Sequence, residues 1–324
     1  MTTLKLFLAT LVCSVLTMHT AAESRAQAYP ARAIHYVVPS SAGSSVDTIG
    51  RIVAGGLTEA LGQQVIVENR AGAGGNIGAA LVAKAAPDGY TVMQVSNNHT
   101  TNMTLYKNRG YDLLRDFAPV TKLAVSPYVL VVLPSLPVKS VPEFIKLAKA
   151  KPGAITYSSA GVGSGTFMAT ELFKSQAELD MLHIPYVGGG PALTAVMSGE
   201  VVLYGAPLAT ALPHIQSGRL RALGVSMDKS VPLLPEVPPA AASVPGYEFS
   251  AWNGIVVPAN TPKEIIATLR SASSKALNIP NVSKRLNDLG YIVIADQPEE
   301  LMAYMKSEIA KMAKLIRDNN IATR

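Results

Sequence analysis

Three stretches of this 324-residue chain place hydroxyls and glycines directly before a helical pattern. Pro39-Ser40-Ser41-Ala42-Gly43-Ser44-Ser45-Val46-Asp47 follows the strand-like Ile34-His35-Tyr36-Val37-Val38. Ser158-Ser159-Ala160-Gly161-Val162-Gly163-Ser164-Gly165-Thr166-Phe167 follows a second run ending at Tyr157, and Tyr186-Val187-Gly188-Gly189-Gly190-Pro191-Ala192 follows a third. A strand, a small-residue turn and a helix N-terminus together present backbone N–H groups and the positive end of the helix dipole, which suits an anion. The serines add donors, and hydrogen bonds to a carboxylate are of the stronger, charge-assisted kind. Asp47 would repel an anion unless its carboxylate turned back on the first-turn amides, so it reads as a capping and loop-bracing residue. Three such turns are more than packing requires.

The same loops are poor in catalytic groups. A hydrolase or isomerase acting on an acid needs a positioned base, and they offer no His or Glu, only Asp47. Residues Val162 and Thr166 flank Ser164 where a nucleophile elbow has glycines. His35, His99, His183 and His214 follow no zinc spacing. Asn69-Arg70-Ala71-Gly72-Ala73-Gly74-Gly75-Asn76-Ile77-Gly78 looks like a dinucleotide loop, but Ile77 occupies the third glycine position, and no Gly-Lys-Ser/Thr phosphate loop occurs. No catalytic residue, metal site or cofactor is expected, and the chain reads as a binding protein rather than an enzyme.

Bulk properties narrow the setting. Lys5, an apolar run from Leu6 to Met18 and a polar patch ending Ala26-Gln27-Ala28 form an export signal, residues 1–28, cut after Ala28. The apolar run is too short for a bilayer, and no later stretch reaches the roughly 18 apolar residues of a membrane helix. The one cysteine, Cys13, leaves with the leader, so disulfides and thiolate chemistry are excluded from the remainder. The net charge of +6 is scattered over single cations, with no basic and aromatic run, so no nucleic-acid partner is expected.

The elements that must hold the loops alternate between two periods. Apolar runs rich in Val, Ile and Tyr at 34–38, 64–68, 90–95, 128–133, 156–158, 182–185, 201–204, 220–226, 253–257 and 291–294 read as strands. Between them, Ile49, Ile52, Val53, Leu57 and Leu61 recur on one helical face. Ser140-Val-Pro-Glu143 and Thr261-Pro262-Lys-Glu264 read as capping boxes, and Pro298 opens a last helix reaching about Asp318. Alternation of this kind argues for α/β layers. Strands near 120–132 and 247–257 are the places for the chain to cross between lobes, which makes a middle lobe inserted into an outer one.

Several blocks then carry a resemblance. Glu68-Asn-Arg-Ala-Gly-Ala-Gly-Gly-Asn-Ile-Gly78, Ala86-Pro-Asp-Gly-Tyr-Thr91, Asp116-Phe-Ala-Pro-Val120, His183-Ile-Pro-Tyr-Val-Gly188 and Gly218-Arg-Leu-Arg-Ala-Leu223 resemble the Bug-type receptors of tripartite tricarboxylate transporters, in order and over essentially the whole chain beyond the leader. The resemblance implies a periplasmic binding protein fold of type II, two α/β lobes joined by a two-strand hinge with the ligand cleft between them. Lobe 1 is then residues 29–127 and 248–324, and lobe 2 residues 128–247. It implies a monomer in the periplasm of a Gram-negative bacterium that captures a small carboxylate and delivers it to a membrane permease; a sensor for a signalling partner stays open as an alternative. Carried over by position, the ligand-binding candidates are Ser41, Ala42, Gly43, Ser44 and Asp47 in one lobe, with Ser96 and Asn97 beside them. In the other lobe they are Gly163, Ser164, Thr166, Phe167, Gly189, Pro191, Ala192 and Ala206. The chain departs from the family pattern at Ser40, Ala42 and Ser44, and Phe167 stands where a His is usual. Ala195, Val202 and Gly205-Ala206-Pro207 replace acidic or aromatic residues, so Phe167 is expected to offer a stacking face and the ligand to be an aromatic acid or a dicarboxylate rather than a compact amino acid.

Overall fold

Branched and aromatic side chains fit a pleated, buried surface, and each of the apolar runs becomes a strand. The computed structural model describes residues 29–322; the expected signal peptide lies outside the described residues. In chain order the elements are β1 Ile34–Val38, α1 Ser45–Leu61, β2 Val65–Asn69, α2 Asn76–Val82, β3 Thr91–Ser96, α3 Asn97–Leu105, β4 Phe117–Val132, α4 Val141–Lys149 and β5 Ile155–Ser159. They continue with α5 Gly165–Gln176, β6 Met181–Pro185, α6 Gly189–Ser198, β7 Leu203–Pro207, α7 Leu208–Gln216, β8 Arg221–Val225 and β9 Ser250–Pro258. The chain closes with α8 Lys263–Asn278, α9 Pro280–Asp288, β10 Ile292–Val293 and α10 Pro298–Asp318.

The strands run in the order β2-β1-β3-β9-β4-β7-β5-β6, with β8 and β10 pairing β4 off this path. Parallel pairing is confined to the two ends: β1 with β2 and β3, and β5 with β6 and β7. Right at the middle, β4 is 16 residues long and belongs to both halves. Its residues from Phe117 to Pro127 pair antiparallel with β9, and those from Tyr128 onward pair with β7 and β8. The two segments expected to cross between lobes are thus neighbours in one ladder.

Each half has helices on both faces. The apolar stripe of α1 is buried through Ile49, Ile52, Val53 and Leu57, which join Leu269, Ala276 and Leu286 of α8 and α9 in one core. Burial is worth about 1.5–3 kcal/mol for each such aliphatic side chain. The opposite face packs Met93, Val95 and Trp252 against Leu301 and Met305 of α10. In the second half Phe144 and Phe173 fill one core and Val196 and Tyr204 another. Leu105 and the end of α10, through Met312, Leu315 and Ile316, also enter the second half's core.

One expectation about a helix start needs correction. Thr261 does not cap α8: Pro262 is the N-cap, and Thr261 Oγ1 instead donates to Pro258 O at 2.7 Å, closing the turn off β9. Helices α2, α3, α7 and α9 were not among the expected helices. Helix α3, Asn-Asn-His-Thr-Thr-Asn-Met-Thr-Leu, buries His99, Thr100, Thr101 and Asn102. Most of their polar atoms find partners, near in sequence as in Thr101 Oγ1 to Asn97 O at 3.0 Å or distant as in Asn102 Nδ2 to Asn76 Oδ1 at 2.7 Å, while His99 Nε2 has none among the described residues. Hydrogen bonding makes this buried helix read as a polar loop in sequence.

Candidate functional site

The N-terminal ends of α1, α3, α5, α6 and α7 open on one cavity of about 440 Å³ between the two halves of the sheet. Among the described residues its walls carry Ser, Thr, Asn, Gly and Tyr, with Val46, Leu193, Pro207 and Trp252 between them, and no Lys, Arg, His, Asp or Glu. The first amides of a helix have no intrahelical acceptor, so this wall presents donors.

At α1, Ser44 is the N-cap, its Oγ accepting from Asp47 N at 3.2 Å and lying 2.8 Å from Ser40 Oγ. Gly43 sits at φ +77°, a left-handed conformation that glycine adopts without strain. Asp47 is only 2% exposed. Its Oδ2 accepts from Gly43 N at 2.8 Å and Arg51 Nε at 3.0 Å, and its Oδ1 from Asn69 Nδ2 at 2.8 Å. Burial by itself would raise this carboxyl, but the hydrogen bonds from Arg51, Asn69 and Gly43 hold it below the usual carboxylate range. The negative charge is therefore spent inside the loop, and Ser45 and Val46 are left to face the cavity.

At α5 the same geometry rests on neutral groups. Ser164 is the N-cap, accepting from Phe167 N at 3.3 Å and donating to Gly161 O at 2.6 Å. Thr166 Oγ1 accepts from Ala160 N at 2.9 Å, and Ser159 Oγ accepts from Gly161 N at 3.0 Å. Behind Ser159, His183 Nε2 lies 2.6 Å away, its ring stacked on Tyr157 at 4.9 Å between centroids. Burial lowers the pKa of His183, with Glu171 opposing.

Helix α6 starts from Gly188 at φ +101° without a side-chain cap. At α3, buried His99 accepts from Ser96 N through Nδ1 at 3.1 Å, and desolvation pushes its pKa down to about 4. Asn97 ties this helix to β9, donating to Ser250 O at 2.9 Å and accepting from Trp252 N at 3.0 Å.

Three tyrosines stand at these helix starts. A Cβ on Gly165, the first residue of α5, would collide with the hydroxyl of Tyr128. One on Gly189, the first residue of α6, would lie 3.2 Å from the hydroxyl of Tyr204. Tyr291 Oη donates to the carbonyl of Ser45, first residue of α1, at 3.3 Å. Burial raises all three phenols, Tyr291 to about 12, so each remains a neutral donor.

Of the residues expected from sequence, the cavity brings together Ser41, Gly43, Ser44, Ser96, Asn97, Ser164, Thr166 and Gly189. Seven others sit elsewhere. Ala42 is exposed on the turn and Pro191 on the first turn of α6, while Asp47 braces its loop. Gly163 packs on Leu105, and Ala192 and Ala206 are fully buried in the core. Phe167 corrects an expectation: it is 5% exposed, lies 4.7 Å from the His183 ring and offers the cavity no stacking face. Its position in the helix turns its ring to the sheet. Sequence reasoning missed Tyr128, Tyr204 and Tyr291, whose one signal was a hydroxyl-bearing aromatic at an end of an apolar run.

The family model described as a tripartite tricarboxylate transporter family receptor matches residues 49–321. This chain belongs to that family. Among relatives, the protein BugT of Bordetella pertussis is 34% identical over 308 residues, covering 94% of this chain and 94% of its own length. An R. palustris protein solved with adipate is similar at TM-score 0.84 and 34% identity, covering 91% of this chain and 100% of the other. MatC from Rhodopseudomonas palustris, solved with bound malate, is similar at TM-score 0.80 and 31% identity, covering 89% and 100%. The receptor therefore has a periplasmic binding protein fold with Bug-type kinship. Among its described residues no helix is long and apolar enough to cross a membrane.

Proposed function

We propose that this receptor works in the periplasm, where it captures a small carboxylate, a dicarboxylate foremost, between residues 29–127 with 248–324 and residues 128–247, and delivers it to a tripartite tricarboxylate-type permease. One observation carries the reading: five helix N-termini converge on a cavity without a charged side chain. Fixed amides and hydroxyls stabilise an oxyanion there without the desolvation cost of a buried cation. An amino acid would bring an ammonium group with no carboxylate to meet it, and an unpaired buried charge is costly. Adipate and malate in similar receptors fit the same chemistry.

Closure follows from where the donors sit. Helix α1 belongs to the first half of the sheet and α5 and α6 to the second, so a carboxylate satisfies both sets only when the halves approach. The permease then reads the closed form. On this reading the ligand leaves as it entered.

A thermal-shift series tests this on residues 29–324 with adipate, malate, benzoate, glutamate and dimethyl adipate. A bound dicarboxylate at a hundred times its Kd stabilises the receptor by about 2.7 kcal/mol. The expected order is a clear rise with adipate or malate, and none with the ester or glutamate. A rise with glutamate alone, or with no carboxylate, would overturn the reading.

A further inference from the structure

We propose that Tyr128 is a ligand contact, its phenolic O–H donating to the carboxylate held at the start of α5, so that the receptor selects oxyanions through a hydroxyl carried on the hinge strand. This rests on the carboxylate reading above and adds to it a residue outside the helix-start loops. Tyr128 is 5% exposed and lines the cavity, and its hydroxyl makes no hydrogen bond among the described residues. Its oxygen is not sealed off but open to the cavity, so the O–H is free to donate to a group that enters.

Direction follows from strand alternation. Residues two apart share a face of a strand, so Ser126 and Tyr128 point the same way, and both line the cavity. Val125, the residue just before Ser126 and paired with Trp252, faces the core under α10. The collision that a Cβ on Gly165 would make fixes the far end of the ring: the hydroxyl rests against the first residue of α5. There it joins the amides of Gly165 and Thr166, so that donors from a side chain and from the helix end meet around one oxygen position. Gly165 is thus glycine because of Tyr128. Strain plays no part, since its backbone is not left-handed.

The location has a mechanical consequence. Tyr128 is the residue at which β4 passes from pairing with β9 to pairing with β7 and β8. A ligand held by this phenol and by α1 is attached to the hinge as well as to both walls. Tyr204 differs, because its hydroxyl has the Thr166 side chain beside it. Tyr291 differs too, having spent its proton on Ser45 O.

The experiment is isothermal titration of wild type, Tyr128→Phe, Gly165→Ala and the double variant with adipate and with malate, alongside ligand-free melting. Losing a hydrogen bond to a charged group weakens binding by roughly ten- to a hundredfold, and that is the loss expected for Tyr128→Phe with its ligand-free melting unchanged. Gly165→Ala should lose affinity to a similar degree by pushing the hydroxyl away, and should add little once Tyr128 is Phe. Tyr128→Phe binding within twofold of wild type overturns the inference and leaves the carboxylate reading standing. Additive losses in the double variant also overturn it. If wild type binds neither acid, the carboxylate reading falls and this inference with it.

Discussion

The junctions β1–α1 and β5–α5 both carry Ser-Ser-Ala-Gly, both end on an N-cap serine, and both present their first helical amides to the cavity, yet they are braced by opposite means. In the first, a buried carboxylate gathers Gly43, Arg51 and Asn69 around Asp47. The second has hydroxyls only, Thr166 on Ala160 and Ser159 on Gly161, with His183 behind. A helix end can thus be shaped for an anion with a negative charge a few residues away, provided that charge is consumed by local donors. The neutral brace does the same job with weaker bonds, and it leaves its loop dependent on the protonation of one histidine.

The largest effect that would break this comparison is at Asp47. Replacing Asp47 with Ala strands Arg51 and Asn69 and should cost roughly 2–3 kcal/mol in denaturant unfolding, with carboxylate binding lost. Thr166→Val removes only neutral bonds, to Ala160 N and Ser164 Oγ, and should cost about 1 kcal/mol with binding weakened rather than lost. Equal costs for the two would show that the charged brace has no special weight.

Acid sharpens the contrast from another side. His99 at the start of α3 is held neutral, its pKa lowered from 6.5 to about 4. A depressed histidine gives stability that is full above pH about 6.5 and is lost as pH falls to about 4, because the unfolded chain takes up the proton first. Stability to urea should fall by about 3 kcal/mol across that window, and His99→Gln should flatten the fall. A flat profile in wild type would contradict the burial of a neutral imidazole at this cap.

The smallest effect concerns His183. Its pKa is also lowered, so acid protonates it only below the ordinary histidine range, and the Ser159 brace then loosens. Asp47, being a depressed carboxyl, keeps its contribution until pH falls well below that range. Hydrogen exchange, corrected for intrinsic rate, should therefore show Gly161 losing protection on acidification before Gly43 does. Simultaneous loss would mean that the two braces share one controlling group.

The legible part of the molecule was the part governed by short-range pattern. Val and Ile runs marked the place of each strand, although β4 starts at Phe117 and not at Tyr128, and the α1 stripe at Ile49, Ile52, Val53 and Leu57 is buried as its spacing predicts. The turn at Gly43 was readable from its small residues, but the capping expected of Asp47 falls to Ser44, whose Oγ accepts from Asp47 N. Helix α3 was not, because its buried Thr and Asn residues are paid for by partners such as Asn76 and Gly74, distant in sequence. Helix α7 carries Pro213 in its interior, a residue that disfavours helix on propensity alone.

By itself, then, the sequence determined an α/β chain with three small-residue helix starts and no His or Glu within those loops, since propensity, capping and turn chemistry act over a few neighbouring residues. The tertiary structure alone decided that five helix ends share one cavity, that Phe167 turns to the core, and that Tyr128, Tyr204 and Tyr291 stand at those ends. The reason is that a side chain's facing depends on the twist and register of strands brought together from far apart in the chain, and no local spacing encodes which hydroxyl will meet which helix.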